Sequence, residues 1–135
     1  MLDRSLLDLS AYRLEKSAEM LAGAKRDYDA KDYASANNRA YYSIFHAMRA
    51  VLALDGQDFK KHSAVIAAFS MKYLKSEKIP REYGKLISNA SLIRNRSDYE
   101  DFYVCSIEDT NKLISGAEEF HSAIKKYLAQ FELSI

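Results

Sequence analysis

The fold class is decided by residues 106–131, SIEDTNKLISGAEEFHSAIKKYLAQF. Steps of three and four residues separate one set of mostly apolar positions: Ile107, Thr110, Ile114, Ala117, His121, Ile124, Leu128 and Phe131. This spacing predicts a helix that packs against other helices, as in an antiparallel bundle. Ser106, with Asp109 three residues later, is typical of a helix N-terminus. We interpret His121, which falls within the packing face, as a hydrogen-bonded core residue rather than a ligand.

Four further helices are predicted upstream. Apolar periodicity places them over residues 6–28, 33–54, 63–76 and 80–94. Asp32 is a suitable N-cap for the second helix, Gly56 is typical of its C-terminal end, and Pro80 suits the first turn of the fourth. A polar, aromatic-rich connection then remains at residues 95–105. The sequence thus predicts an all-α protein, an antiparallel up-and-down bundle of four to five helices in a single domain over residues 1–135.

Composition narrows the class of protein. Four glycines and one proline are too few for the frequent turns of a sandwich or barrel, and ten tyrosines with six phenylalanines can fill a core. Cys105 is the single cysteine, so no intrachain disulfide can form. No apolar run approaches the ~18 residues of a membrane span, and the first ten residues are too acidic for a secretion signal. We therefore expect a cytoplasmic protein that does not bind membranes.

Charge is unevenly distributed although the formal net charge is +1. Residues 60–96 carry nine lysines and arginines against two acids, whereas residues 97–120 carry seven acids against one lysine. The two segments could neutralise one another across the fold. Alternatively, one presents a basic face to phosphate and the other an acidic face to a partner.

The second predicted helix has two different faces. At ~100° per residue, one face collects the apolar side chains Tyr41, Ile44, Met48, Val51 and Leu52. The opposite face carries a polar stripe, defined as Arg39, Tyr42, His46 and Arg49. Cation–aromatic stacking could hold this stripe together at an exposed surface, or the stripe could face phosphate or a second subunit.

A second polar group is RNRSDYEDFY at residues 94–103. Salt bridges could tie it down as a loop, or its arginines could bind phosphate, for which a guanidinium is well suited. Metal chemistry has little support, because the three histidines are widely spaced and no metal-binding motif occurs. The four glycines are too far apart for a phosphate-binding loop. We therefore expect no metal and no cofactor.

Three segments together resemble the HEPN domain family. They are RAYYSIFHAMRAVL at residues 39–52, KHS at residues 61–63 and RNRSDY at residues 94–99. The similarity is to the small stand-alone, UPF0332-like branch and covers residues 10–130. It implies an antiparallel helical bundle that is commonly dimeric and frequently paired with a minimal nucleotidyltransferase, as in toxin–antitoxin modules.

The resemblance also implies a type of chemistry. Active HEPN ribonucleases need no metal and use an arginine followed four to six residues later by a histidine, two such motifs meeting across a dimer. In the nucleotidyltransferase-paired branch, a tyrosine two residues after the histidine is nucleotidylylated. Counted from Arg96, this chain has Asp101 at the histidine position and Tyr103 at the tyrosine position. A carboxylate with a pKa near ~3.9 repels phosphate at neutral pH, so weak or no cleavage is predicted. Arg39 and His46 also have a spacing of seven residues, but on the second helix.

The sequence-based hypothesis is a HEPN partner of a minimal nucleotidyltransferase that binds nucleotide, RNA or protein. The alternatives are an active endoribonuclease toxin and a purely structural dimerisation module. A homodimer is expected, because the second and last helices offer more contact surface than one small bundle needs. The motif-equivalent candidates for catalysis are Arg94, Arg96, Asp101 and Tyr103. The candidates for binding are Arg39, Tyr42, His46, His62, Asp98 and Tyr99.

Overall fold

A computed structural model describes residues 3–100 and 103–132, and these form five α-helices. The helices are α1 (Arg4–Asp29), α2 (Tyr33–Ala53), α3 (His62–Phe69), α4 (Tyr83–Tyr99) and α5 (Ile107–Glu132). A π-helical turn, Ser70–Leu74, continues α3 without a break. No strand occurs within the described ranges. The all-α prediction is therefore confirmed.

The helix ends follow the capping signals of the sequence. The Asp32 carboxylate accepts a hydrogen bond from the Ser35 N–H at 3.2 Å and so caps α2. Gly56 has a φ of +69°, the left-handed conformation that glycine adopts at no steric cost, and it ends the turn after α2. Ser106 Oγ accepts from the Asp109 N–H at 3.2 Å at the start of α5. All three sequence signals therefore act where they were predicted.

Pairs of contacting residues establish an antiparallel arrangement. Along α1 and α2, Ser10 meets Ala50 whereas Ser17 meets Ser43. Residue numbers therefore increase along α1 in the direction in which they decrease along α2, so the two helices are antiparallel. Three other helix pairs are antiparallel as well. Asn37 meets Ser97 and Tyr42 meets Arg94 between α2 and α4, and Ser17 meets His121 and Lys25 meets Glu118 between α1 and α5. Between α4 and α5, Leu86 meets Gly116 and Tyr83 meets Glu119. The four long helices therefore form the up-and-down bundle that was predicted.

Helix α2 is the central element, since it contacts α1, α3, α4 and α5. Its predicted core face is confirmed, because all five apolar residues of that face are buried. Ring contacts join the remaining helices around it: Phe120 of α5 lies 5.8 Å from Phe69 of α3 and 5.2 Å from Tyr83, measured between ring centres. The core thus surrounds α2, and the polar stripe and the first turns of the helix remain accessible.

Buried hydroxyl groups join α1 to α2. Ser10 Oγ donates to the Ala50 carbonyl and Ser17 Oγ donates to the Ser43 carbonyl, each at 2.7 Å. Small residues at this interface let the two backbones approach closely: a Cβ on Gly23 would lie 2.9 Å from Arg39 Cδ. Ser17 Oγ also lies 2.9 Å from His121 Nδ1, so His121 is hydrogen-bonded as predicted, but its side chain is half-buried at the edge of the core rather than within it.

The bounds of α4 differ from the prediction. Residues 80–82 form a turn in which the Tyr83 N–H donates to the Pro80 carbonyl at 3.2 Å, so the helix begins three residues after Pro80. It then continues to Tyr99, through a segment predicted to be a connection. Asn37 and Asn38 of α2 donate to Ser97 and Asp98, which holds this last turn in helical form.

The apolar face of α5 is also broader than its spacing predicted. Leu113 and Phe120 are buried, whereas Ile107 is 54% exposed in the first turn. An α-helix has 3.6 residues per turn, so a face drawn with alternate steps of three and four drifts slowly around it. Drift over 26 residues brings new positions into the core and turns Ile107 to the surface.

Candidate functional site

Three of the four residues of the polar stripe of α2, all except Arg49, face a cavity of about 460 Å³. Arg39, Tyr42 and His46 line it at helical spacing, and Asp98 of α4 lines it from the side. Met20 of α1 and residues of the first turn of α2 complete the wall. Four of the predicted binding residues therefore share this space, which we call the first cavity.

Arg94 connects the first cavity to the core. Its guanidinium donates to the Tyr42 hydroxyl at 3.3 Å and to the Asp98 carboxylate at 3.2 Å. The guanidinium carbon also lies 5.2 Å from the centre of the Tyr41 ring and 5.5 Å from that of Tyr42, a cation–π geometry. Asp98 accepts a further bond from Asn38 at 3.2 Å. Arg94 and Asp98 are thus held in place before any ligand arrives.

Arg39 is the more accessible arginine of the first cavity. Its side chain is 45% exposed and its Nε donates to Asp27 at 2.7 Å. Gly23 lies beneath it, where any larger residue would collide with the arginine side chain. An exposed, partly paired guanidinium can exchange its carboxylate partner for a ligand phosphate.

His46 is neutral at physiological pH. Burial and, to a smaller extent, the positive charges of Arg49, Lys16 and Arg13 together lower the pKa of His46 to about 4. Its Nδ1 is buried and has no hydrogen-bond partner among the described residues. A neutral imidazole can exchange a hydrogen bond with a ligand, but it carries no charge to stabilise a phosphate and is a weak base.

His62 lies on the other side of the aromatic residues of α2. Its Nδ1 shares a hydrogen bond of 2.9 Å with the Tyr41 hydroxyl, and its ring centre is 4.1 Å from that of Phe45. Burial lowers the pKa of His62, and the charges of Arg94 and Arg49 add to the effect. Burial raises the pKa of Tyr41 to about 12, so this hydroxyl remains protonated. Both histidines of the site are therefore uncharged.

The remaining candidates lie at the end of α4 and beyond it. Arg94 and Arg96 are two residues apart on a helix, about 200° around the axis, so Arg94 faces α2 while Arg96 is exposed. Tyr99 is 74% exposed. Tyr103 is partly buried, and its burial, with the charge of Asp109 among others, raises its pKa. Asp101 lies outside the described residues.

Several contributors were not predicted from the sequence. Tyr41 was assigned to the core alone, yet its hydroxyl reaches His62 and its ring supports Arg94. Asn38 precedes Arg39 and completes the hydrogen bonds of Asp98. Its position four residues before Tyr42, on the same face of α2, was the one signal that could have indicated it.

The two charged segments do not neutralise each other extensively. Over residues 3–100 and 103–132, one ion pair, Arg94 to Asp98, joins the basic segment to the acidic one. Other acids of residues 97–120 pair elsewhere, such as Glu118 with Lys25 of α1. Within the described residues, most cations of the basic segment are therefore not paired with acids of the acidic segment.

The described part of the chain has neither a metal-ion site nor a membrane-spanning helix. It contains no group of three histidines, cysteines or acids placed to hold a metal ion. None of its helices combines the length and the apolar character required to cross a bilayer.

Comparison with known proteins identifies a family whose model matches this chain. The family model described as "HEPN domain" matches residues 10–127. A protein from Thermotoga maritima named "UPF0332 protein" is 33% identical over 117 residues, covering 87% of this chain and 89% of the relative. Two proteins of Methanocaldococcus jannaschii bear the name "Putative toxin". One is 33% identical over 87% of each chain, and the other is 29% identical over 85% of this chain and 78% of the relative.

Proposed function

This chain belongs to the HEPN domain family, and on that premise we propose that it is the HEPN component of a toxin–antitoxin-type module. In this proposal it binds RNA or nucleotide through the first cavity, cleaves RNA weakly or not at all, and pairs with a minimal nucleotidyltransferase. The toxin names of two relatives support the module. The first cavity supports the binding role.

One observation carries the binding proposal, namely that Arg39, Tyr42, His46 and Asp98 line a single cavity beside the fixed Arg94. A guanidinium binds phosphate oxygens through two parallel hydrogen bonds, and an aromatic ring offers a surface on which a base can stack. The first cavity combines both groups within one helix face. That combination fits a nucleotide unit better than it fits an uncharged ligand.

The protonation states argue for weak cleavage. Metal-free attack by a ribose 2′-hydroxyl needs a base with a pKa near neutrality and a group that supplies positive charge to the phosphate. His46 and His62 both have lowered pKa values and are neutral, so neither supplies that charge. Arg94 could supply it, but its guanidinium already pairs with Asp98. The site is better suited to binding than to catalysis.

A partner surface is proposed at the end of α4. Leu92 and Tyr99 are exposed and lie seven residues apart, so they share a helix face. Val104 and Ile107, just beyond in the sequence, are exposed as well. Exposed apolar side chains in this number are typical of a protein interface. We assign this surface to the nucleotidyltransferase or to the second subunit of a homodimer.

The binding experiment uses fluorescence anisotropy with a labelled single-stranded RNA at several salt concentrations. The logarithm of the affinity should fall linearly with the logarithm of salt, by ~0.7 for each phosphate contacted. Replacing Arg39 by Gln should weaken binding by about tenfold, whereas the matched variant Arg26→Gln, on an exposed position of α1, should bind normally. Affinity that is absent at low salt, or indifferent to salt, would contradict the proposal.

The cleavage experiment incubates RNA with the natural protein and a chelator. No cleavage is expected, and Asp101→His should create or raise it if the remaining geometry is that of the family. Robust metal-free cleavage by the natural protein, abolished by Arg96→Ala, would instead establish the endoribonuclease toxin. That alternative is favoured by the toxin names of the relatives.

The partner experiment measures particle mass by light scattering. The protein alone should have about twice its mass of 15.4 kDa, and it should form a larger complex with the product of a neighbouring nucleotidyltransferase gene. A particle of monomer mass at high concentration would exclude the homodimer. Modification at Tyr103 is checked in the same complex by mass spectrometry, with Tyr103→Phe as the test variant and Tyr99→Phe as its control.

A further inference from the structure

A second cavity of about 300 Å³ lies farther along α2, beyond His46. Phe45 and Arg49 of α2 form one wall, and Asp58, Phe59 and Lys60 of the following loop form the other. His62, at the start of α3, closes one end. This space is separate from the first cavity, with which it shares no lining residue.

Two arginines converge on one carboxylate at this second cavity. Arg49 lies 2.9 Å and Arg13 of α1 lies 3.4 Å from the same oxygen, Asp58 Oδ1. The Arg13 side chain is only 7% exposed and that of Arg49 is 25% exposed, whereas that of Asp58 is 64% exposed. The two arginines are therefore held within α1 and α2, whereas Asp58, their carboxylate partner, lies on an exposed loop.

The positive charges around Asp58 outnumber the negative ones. Arg49 and Lys60 line the cavity, and Asp58 is the one acid among the lining residues. Arg13 lies behind Asp58, where one of its nitrogens donates to the Arg49 carbonyl at 3.1 Å and another pairs with the Asp58 carboxylate. Arg49 Nε is buried and has no acceptor among the described residues. A buried donor without an acceptor is costly, so an anion with more oxygen atoms than a single carboxylate would improve this site.

We propose that Arg13 and Arg49 form a binding site for the phosphate of a nucleotide, and that Asp58 occupies the phosphate position until the ligand displaces it. A phosphate offers three oxygens and up to two negative charges, so it can accept hydrogen bonds from both guanidiniums at once. Asp58, in contrast, meets both guanidiniums through a single oxygen, Oδ1. Displacement moves an exposed loop side chain into water and leaves the helices in place.

The aromatic side chains at the cavity select a nucleotide over a bare anion. Phe59 and His62 line the space next to the guanidiniums, and the ring of Phe45 supports His62 from below. A base attached to the bound phosphate can pack on these rings. Inorganic phosphate or sulfate gains nothing from them, so the nucleotide should bind more tightly than either ion.

The test uses isothermal titration calorimetry of the full chain with four ligands: adenosine 5′-monophosphate, adenosine, inorganic phosphate and sulfate. The nucleotide should bind, and Asp58→Asn should tighten its binding by about tenfold because the competing carboxylate is gone. Arg49→Gln should abolish the component of binding that Asp58→Asn tightens. Arg39→Gln removes the guanidinium of the first cavity, and in that background Asp58→Asn should still tighten nucleotide binding, so failure here is distinguishable from failure of the proposed RNA-binding role.

Three results would overturn the assignment. Equal affinities for nucleotide, phosphate and sulfate would indicate a nonspecific anion site. An Asp58→Asn variant with unchanged nucleotide affinity would show that the carboxylate does not occupy the phosphate position. Circular dichroism checks that this variant is folded, because the substitution leaves the buried Arg13 without its carboxylate partner. Nucleotide binding that Arg39→Gln abolishes would move the site to the first cavity.

A further comparison distinguishes a free nucleotide from a nucleotide unit of an RNA strand. A short single-stranded RNA is titrated into Asp58→Asn and into Arg49→Gln. Tighter binding of RNA to the first variant and weaker binding to the second would identify the ligand phosphate as one of an RNA strand. If only the monophosphate responds to these substitutions, the ligand is a free nucleotide.

Discussion

Acidification should destabilise this protein through His46. The imidazole has a pKa of about 4 in the folded protein, against 6.5 in an exposed histidine, because burial and the charges of Arg49, Lys16 and Arg13 oppose its protonation. The unfolded chain therefore takes up a proton at higher pH than the folded one. Stability is complete above about pH 6.5, falls as the pH drops toward about 4, and changes no further below that on account of His46.

The size of the effect follows from the same pKa values. At 1.36 kcal/mol per pH unit, the full difference corresponds to at most about 3 kcal/mol. The His46 side chain is only half-buried, so screening by solvent reduces the expected loss to about 1–2 kcal/mol. His62 and His121 add smaller losses of the same sign, since burial lowers the pKa of each.

The assay is urea unfolding, followed by circular dichroism, at a series of pH values from about 7.5 to about 4.5. His46→Gln should flatten the decline in the free energy of unfolding, whereas His121→Gln should leave most of it. A nuclear magnetic resonance titration of the His46 ring gives the pKa directly. A ring that titrates near 6.5, or a His46→Gln variant that keeps the natural pH dependence, would refute this reasoning.

Three further stability predictions can be checked by the same urea assay. Gly56→Ala should cost about 1 kcal/mol because φ is +69°, and no atom lies within 4 Å of the new Cβ, so the cost is conformational. Gly84→Ala, which meets only an ordinary contact at 3.6 Å, should be neutral or stabilising, and an equal loss in both variants would contradict the explanation. Ser17→Ala should cost about 1–3 kcal/mol, because it leaves His121 Nδ1 and the Ser43 carbonyl without the hydroxyl they share; unchanged stability would mean that water replaces it. Tyr73→Phe should cost about 1 kcal/mol by removing the bond of 2.6 Å to Asp55, whereas Tyr12→Phe at an exposed position should cost nothing.

Local signals predicted the helices and part of the site. Periodicity alone placed Arg39, Tyr42 and His46 on one face of α2, because side chains three and four residues apart on a helix are neighbours. It could not predict that Asp98 would meet them, since that depends on how α4 packs. The extension of α4 to Tyr99 was missed for the same reason, because hydrogen bonds from α2 hold its last turn.

Buried polar residues were the least predictable part. Arg13 and Ser17 interrupt the apolar pattern of α1 and would be expected at the surface, yet both are buried. Each finds acceptors on α2, 26 or more residues away in the sequence. Such partners cannot be identified from neighbouring residues in the sequence. The position of Asp58 beside Arg13 and Arg49 could not be predicted for the same reason.

The antiparallel hairpin of α1 and α2 has a consequence for the order of folding. A turn of three residues joins these helices, so their contacts nearest the turn close very short loops at little entropic cost. The contact between Ser17 and His121 instead closes a loop of 104 residues. The hairpin can therefore assemble early, with its serine hydroxyls setting the register, whereas α5 completes the bundle only after the rest of the chain is in place. During synthesis, the polar stripe of α2 is made well before α4, whose Arg94 donates a hydrogen bond to Tyr42 of that stripe.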